Sequence, residues 1–428
     1  MKGLKGQAIV SILFAGVTRG LGFVLRAVLG RCLGAEAMGI CEMASGVQQL
    51  LLIPVIGGMP TAVSCLSARE GGRERHHVLR TAGHMVLVRS LSLMLLCMTA
   101  APFAGLILGD MRVVPVLLVF APALPLVGLS TVMDGCAYGM GSALWPALSE
   151  TAEQLVRILA VGCILYALPM LPLSLRAAVP SAAGVLGEGA GLLVMVFALR
   201  GMRGQGTVDP CIRREVNGMA WPVLGSRMST GTVRALTGLL LPRLLVLSGL
   251  TAPEAAAQLG KLQGMVLPLL FLPGIATGAL ASLGAPRVSA LTGKSRRRFA
   301  LRLTLYALAA GLMGAAVLYE GASFVGERVY RQAGVAPMLR SLAVGAVPLS
   351  LNHVLGALML GMGRQRTLFK LQTVAGAAAL GMTVAFTLRF GVMGAGFAMV
   401  GAQTLQCVLV LLHVAGALFH PPADEVCK

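Results

Sequence analysis

Apolar runs long enough to cross a membrane recur from one end of this chain to the other. A helical crossing needs about 20 mostly apolar residues. Twelve such runs can be drawn, at about 6–30, 39–66, 82–106, 113–135, 146–169, 178–199, 217–247, 257–285, 301–320, 337–361, 371–389 and 391–417. The links are short and leave no room for a soluble domain. Runs of this length are not the alternating ten-residue strands of a membrane barrel. Composition agrees: the 428 residues are 57% hydrophobic and 12% charged, where soluble domains carry about 25% charge. A mean hydropathy of +0.84 excludes a soluble enzyme, a disordered tail, collagen and a secreted disulfide scaffold. The expected fold is all-α and integral to the membrane, with about twelve transmembrane helices.

The chain has 35 Lys and Arg against 16 Asp and Glu, a net charge of +19. The basic residues cluster in the links between apolar runs, and only 5% of residues are aromatic. Both features speak for cytoplasmic loops obeying the positive-inside rule and against a nucleic-acid partner. With the N-terminus inside, the inner segments hold 20 basic residues and the outer ones 7. A cytoplasmic-membrane protein with both termini cytoplasmic is expected. Lys2 and Lys5 precede an apolar run that continues through Arg19 to Gly30, longer than the core of a signal peptide, so it reads as the first span. The nine cysteines form no C-x-x-C pair and have no His at metal spacing. They predict neither a disulfide framework nor a metal or cofactor site.

The chain reads as two halves of six spans. The basic link after span 2 (Pro60-Thr-Ala-Val-Ser to Arg73-Glu-Arg75) echoes the one after span 8 (Pro286-Arg-Val-Ser to Arg296-Arg-Arg298). Gly139-Met-Gly141 echoes Gly361-Met-Gly363. Equal span parity in each half implies a parallel repeat about an axis along the membrane normal. The expected division is an N-terminal six-helix lobe (1–199), a cytoplasmic linker (200–216) and a C-terminal six-helix lobe with a short cytoplasmic tail (217–428). Two similar bundles around a central cavity make a transporter layout.

Charged residues inside the spans carry the chemistry. Arg19 lies mid-span, and Arg26, seven residues on, shares its helical face. A charge at a helix centre costs about 2.5–3.5 kcal/mol on insertion scales, and arginine does not escape by deprotonating. Such a pair must face water or a partner. Arg227 and Arg234 repeat the spacing in span 7. Arg157 has Glu150 and Glu153 one or two turns before it, which favours local helix pairing. Glu42, Asp134 and Glu188 are candidates for ion coupling or for charge partners of the arginines. His353 and His413 stand alone. Pro268 and Pro273 in span 8 are the hinge candidates, since an intrahelical proline frees a carbonyl. Gly-x-x-x-Gly pairs at Gly16/Gly20, Gly30/Gly34, Gly135/Gly139, Gly187/Gly191 and Gly274/Gly278 suggest helix packing. Gly293-Lys294-Ser295 ends like a phosphate loop but has Val288 where the pattern needs glycine. The basic run after it suits a loop facing anionic lipid. No hydrolase or dinucleotide motif appears, and no enzymatic activity is expected.

Several segments together resemble a known family. They are Thr18-Arg-Gly-Leu-Gly-Phe23, Arg31-Cys-Leu-Gly-Ala-Glu-Ala-Met-Gly-Ile40, Gly58-Met-Pro-Thr-Ala-Val-Ser64, Pro146-Ala-Leu-Ser-Glu-Thr-Ala-Glu-Gln-Leu-Val-Arg-Ile158 and Gly264-Met-Val-Leu-Pro-Leu-Leu-Phe-Leu-Pro273. In order and spacing they resemble the stage V sporulation protein B/polysaccharide transporter family of the multidrug/oligosaccharidyl-lipid/polysaccharide (MOP) exporter superfamily. The resemblance covers most of spans 1–8. It implies two MATE-like six-helix lobes, a central cavity and alternating access. It also implies flipping of undecaprenyl-pyrophosphate-linked sugars for cell wall, spore or surface glycan. Related lipid II flippases carry cavity arginines in the first span; Arg19 falls on one such position, and Arg26 is one residue away from the next. Members of the sporulation branch often have fourteen spans, and this chain reads as twelve.

The function expected from residues and resemblance together is a flippase for a lipid-linked anionic glycan. Arg19, Arg26, Arg227 and Arg234 would bind the pyrophosphate through planar donor forks. The partners expected are that glycan and the membrane lipids. The alternatives are a cation-coupled multidrug exporter of the same superfamily, depending on Asp134, Glu42 or Glu188, and a non-transporting scaffold for wall synthesis.

Overall fold

The computed structural model describes residues 2–69, 75–202 and 209–419; the side chains of 2–13, 225–234 and a few scattered positions lie outside the described residues. Helices and short turns make up the described chain, with no strand among them. The chain divides into two compact units, 1–242 and 243–428.

The first unit opens with α1 (Lys2–Ile56), which is two rods rather than one. They are separated at Gly34, with φ 80° and ψ 171°, a conformation that costs a residue without Cβ little. A straight 55-residue helix would be far longer than the roughly 30 Å hydrocarbon core. The break lets the second rod fold back on the first. The chain continues with α2 (Met59–Arg69), α3 (Arg75–Leu108), α4 (Val113–Phe120), α5 (Ala123–Gly139), α6 (Leu144–Ala167), α7 (Leu173–Ala198) and α8 (Pro210–Leu247). The apolar run at 113–135 is not one straight helix: α4 and α5 meet at 41°.

The second unit holds α9 (Ala252–Leu259), a π-helical stretch (Gly260–Val266), α10 (Leu267–Leu270) and α11 (Pro273–Ala290). Then come α12 (Gly293–Phe324), α13 (Val335–Leu342), α14 (Ala346–Gly361) and α15 (Gln365–Phe419). A second glycine break, at Gly391, divides α15 into two rods. Each unit repeats one packing scheme: α2 and α3 pack on α5, and α11 and α12 pack on α14. Backbone breaks repeat as well. Gly141 (φ 75°) and Gly363 (φ 74°) lie 222 residues apart, and so do Gly109 (φ 77°) and Arg331 (φ 53°). The α4–α5 bend and the 3-10 turn Ala343–Gly345 between α13 and α14 keep the same interval.

The helix faces show why the fold belongs in lipid. Contacts between helices use small residues: a Cβ on Gly139 would fall 2.5 Å from the Ser64 carbonyl oxygen, and one on Gly361 the same distance from that of Ala285. Large apolar side chains instead face outward, with Phe103 66% and Leu193 70% exposed. That inversion suits helices packed by close backbone approach in a hydrocarbon solvent. Among the described residues, six helices are long and apolar enough to cross a membrane, or seven if α4 and α5 form one bent span.

Candidate functional site

One set of charged residues of the first unit lies on α1, α5, α6 and α7. Folding α1 back at Gly34 brings Arg26 onto Glu42, eight residues to either side of the break, at 3.2 Å. The Ser45 hydroxyl donates to the Glu42 carbonyl at 2.7 Å, fixing the turn that carries this carboxylate. At the Gly34 end, Arg176 of α7 donates to the carbonyl of Cys32, left without a helical partner by the break. Arg112 there bridges Glu36 at 2.6 Å and Asp110 at 2.7 Å. Hydrogen bonds that Arg112 donates to Asp110, and then to Glu36, hold its guanidinium above its ordinary pKa.

Arg157 on α6 is gripped by two carboxylates: Glu153 one turn before it, and Glu188 of α7 at 2.7 Å. Gly187 makes room for the arginine, since a Cβ there would sit 2.6 Å from Arg157 Cγ. Four residues on, Gly191 lies against Ser149, whose hydroxyl donates to the Gly191 carbonyl at 3.0 Å. Asp134 on α5 acts electrostatically on Glu188 and is itself acted on by Glu150 and Glu153. Its Oδ1 is buried and makes no hydrogen bond among the described residues. Arg19, exposed on the first rod of α1, is felt by Glu150. It makes no hydrogen bond or ion pair among the described residues. Four carboxylates (Asp134, Glu150, Glu153, Glu188) and two guanidiniums (Arg19, Arg157) therefore share one region. Among the described residues, Asp134, Glu150 and Arg19 are its groups without a hydrogen bond or ion pair. This region has polar groups for an anion on α1 and for a cation at Asp134.

The sequence candidates are thus distributed unevenly. Arg26 and Glu42 pair with each other, and Glu188 pairs with Arg157. Arg227 and Arg234 lie on α8, but their side chains are outside the described residues. Pro268 and Pro273 sit on α10 and at the start of α11, flanking a turn at Phe271–Leu272. Sequence reasoning missed the Glu188–Arg157 and Arg112–Glu36 pairs, because their partners lie 31 and 76 residues apart on different elements. It also missed the π-helical stretch before Pro268.

Comparison with known proteins now bears on this arrangement. The pattern that defines the family described as "Polysaccharide biosynthesis protein" matches residues 4–281. Stage V sporulation protein B of Bacillus subtilis (strain 168) is 27% identical over 439 residues, covering 96% of this chain and 83% of that protein. Among solved structures, the lipid II flippase MurJ in an inward closed conformation has a TM-score of 0.78 at 13% identity, over 95% of this chain and 87% of that one. An inward-facing multidrug resistance MATE family transporter of the MOP superfamily has a TM-score of 0.73 at 15% identity, over 97% of this chain and 100% of that one. At such low identities the two structures speak for the fold, and the sequence match speaks for the family. The chain belongs to the polysaccharide biosynthesis protein family, built on the multi-pass helical membrane fold of the MOP superfamily.

Proposed function

We propose that this protein flips a lipid-linked, anionic glycan precursor across the cytoplasmic membrane by alternating access. The observation that carries this reading is the arginine stripe on the first rod of α1. Arg19 and Arg26 share one face; Glu42 holds Arg26, and among the described residues Arg19 has no counter-charge bound to it. A pyrophosphate needs several cationic donors at once, and guanidinium forks supply them. Arg227 and Arg234 complete the cationic set on α8, and the joints around Pro268 and Pro273 allow bending. The similarity to a sporulation protein and to a lipid II flippase supports the substrate class, an undecaprenyl-pyrophosphate oligosaccharide or wall precursor. Twelve crossings in two six-helix lobes (1–199 and 217–428), with both termini cytoplasmic, form the proposed frame. The repeated backbone breaks and the basic-residue asymmetry support it.

One observation favours a second reading. Asp134 is an unpaired carboxylate beside three others, a constellation suited to a proton or a sodium ion. It would drive the flippase as its coupling site, or serve a cation-coupled multidrug exporter. The test is translocation of a labelled undecaprenyl-pyrophosphate sugar in liposomes. Wild type is expected to move it, and Arg19→Ala, still folded, to lose about tenfold or more, the scale of one or two charge-assisted hydrogen bonds. If Arg19→Ala flips normally, the cationic site is wrong. Organic-cation efflux that needs Asp134, with no glycan movement, would establish the exporter instead.

A further inference from the structure

One end of the second unit collects positive charge from two segments that hold no acid. The segments 286–302 and 362–370 contain nine Lys and Arg and no Asp or Glu. The first supplies Arg287, Lys294, Arg302 and the run Arg296 to Arg298; the second supplies Arg364, Arg366 and Lys370. One apolar cluster ties both segments together: Val288 at the end of α11, Ala300 near the start of α12, Met359 at the end of α14 and Leu368 at the start of α15. The charges are therefore neighbours on one surface. Arg296 is partly engaged, its Nε donating to the Leu291 carbonyl at 2.7 Å. Lys294, Arg298, Arg302, Arg366 and Lys370 are exposed.

This placement runs against helix electrostatics. α12 and α15 both begin here, and the start of a helix carries about half a positive charge, which favours acids and disfavours cations. Neither helix has an acidic residue in its first turn, and Thr292 makes no side-chain cap to α12. The first two turns of α12 instead hold Lys294 and the three arginines. Lys294 and Arg298, exposed at the start of this helix, offer a seat to an external anion, which the helix dipole also favours. The side chains just beyond identify its setting. One or two turns further along the same helices, Leu305 is 61%, Tyr306 62% and Val374 57% exposed. These apolar groups place the cations at the edge of the hydrocarbon, where a phospholipid meets the apolar groups with its chains and the cations with its phosphate, and an aqueous ligand meets the cations alone.

We infer that this end of the second unit is a retention site for anionic phospholipid, with the lipid phosphate held by Lys294, Arg298, Arg366 and Lys370. The inference goes beyond the flippase reading and stands or falls without it, because its test measures lipid retention and no transport. The full-length protein in detergent is offered equal amounts of phosphatidylglycerol and phosphatidylcholine, and native mass spectrometry counts the lipids kept. Wild type is expected to keep phosphatidylglycerol preferentially, and less of it as salt rises. Arg298→Gln/Arg366→Gln/Lys370→Gln should lower that preference about fivefold or more, while Arg298→Lys/Arg366→Lys retains it. Equal retention of both lipids, or an unchanged preference in the Gln variant, would overturn the proposal. So would displacement of the phosphatidylglycerol by equimolar inorganic pyrophosphate or an acidic peptide, which would assign the surface to a soluble anion or a protein. If the Gln variant does not fold, the salt titration of wild type decides, and a salt-insensitive preference overturns it.

Discussion

Arg157 and Arg19 face the same polar region of the first unit with different company. Arg157 sits between Glu153 and Glu188 and serves the structure, whereas Arg19 has no bound partner among the described residues and is the residue proposed to meet the substrate. The two roles predict different mutational phenotypes. Glu188→Gln removes one of two charges from a partly buried arginine, and should destabilise the detergent-solubilised protein by about 1–3 kcal/mol. Arg157→Met/Glu188→Met should cost less than its two single changes added together, with a coupling of about 0.5–3 kcal/mol in thermal or denaturant unfolding. Additive single changes would remove the pair from the account. A pH effect is expected outside the spans, at Glu254. The Thr251 backbone N–H, then its hydroxyl, hold the Glu254 carboxylate below its ordinary pKa. This capping box is therefore intact above the unfolded carboxylate pKa of about 4.3, and is lost as pH falls through the depressed folded value. Faster amide exchange at Thr251 in that acid window, and no change at neutral pH, is the expected signature. At this scale the sequence exposed Arg19 and Arg26 through their spacing and depth. It could not expose the Arg157–Glu188 pair, because nothing local says which helix packs against which.

At the scale of the helix, glycine patterns separate into those that pack and those that do not. Gly-x-x-x-Gly recurs along the sequence, yet only some pairs meet a neighbour. Cβ atoms on Gly139, and on Gly361 outside that pattern, would collide with backbone oxygens, which cannot swing aside like a side chain, whereas Gly16 and Gly20 meet nothing within 4 Å among the described residues. Gly139→Ala and Gly361→Ala should each cost about 1–3 kcal/mol through overpacking. Gly16→Ala and Gly20→Ala should be neutral or slightly stabilising, since alanine is the better helix former by about 1 kcal/mol. Thermal midpoints of the four variants check this, and equal effects at all four would mean that the close approaches do not hold the helices. The same contrast explains how far the sequence could be read. Run length and hydropathy revealed the helices because lipid demands them. The break between the two rods of α1 was legible as a link of charged and small residues, but not as a single glycine. The bend between α4 and α5 and the π-helical stretch before α10 left no apolar gap, so a hydropathy reading passes over them.

For the whole molecule, the 222-residue interval links local geometry to topology. A parallel repeat with an even number of crossings in each half returns the chain to the side on which it began. The linker after the first six crossings should then share a side with the N-terminus, and the Gly34 break should lie on the other side. Two native cysteines mark these places, Cys32 beside Gly34 and Cys211 at the start of α8, and both are exposed. Variants retaining one of them, with the other cysteines changed to serine, should differ in intact cells. A membrane-impermeant maleimide is expected to label Cys32 from outside and to reach Cys211 only after permeabilisation. The positive-inside count gives the same sides by an independent route, so agreement would bind charge asymmetry and repeat parity into one topology. Labelling of both from outside would mean an even number of crossings between them. The α4–α5 bend or α8 would then need a different path through the membrane, and the flippase reading would lose the symmetric frame on which alternating access depends.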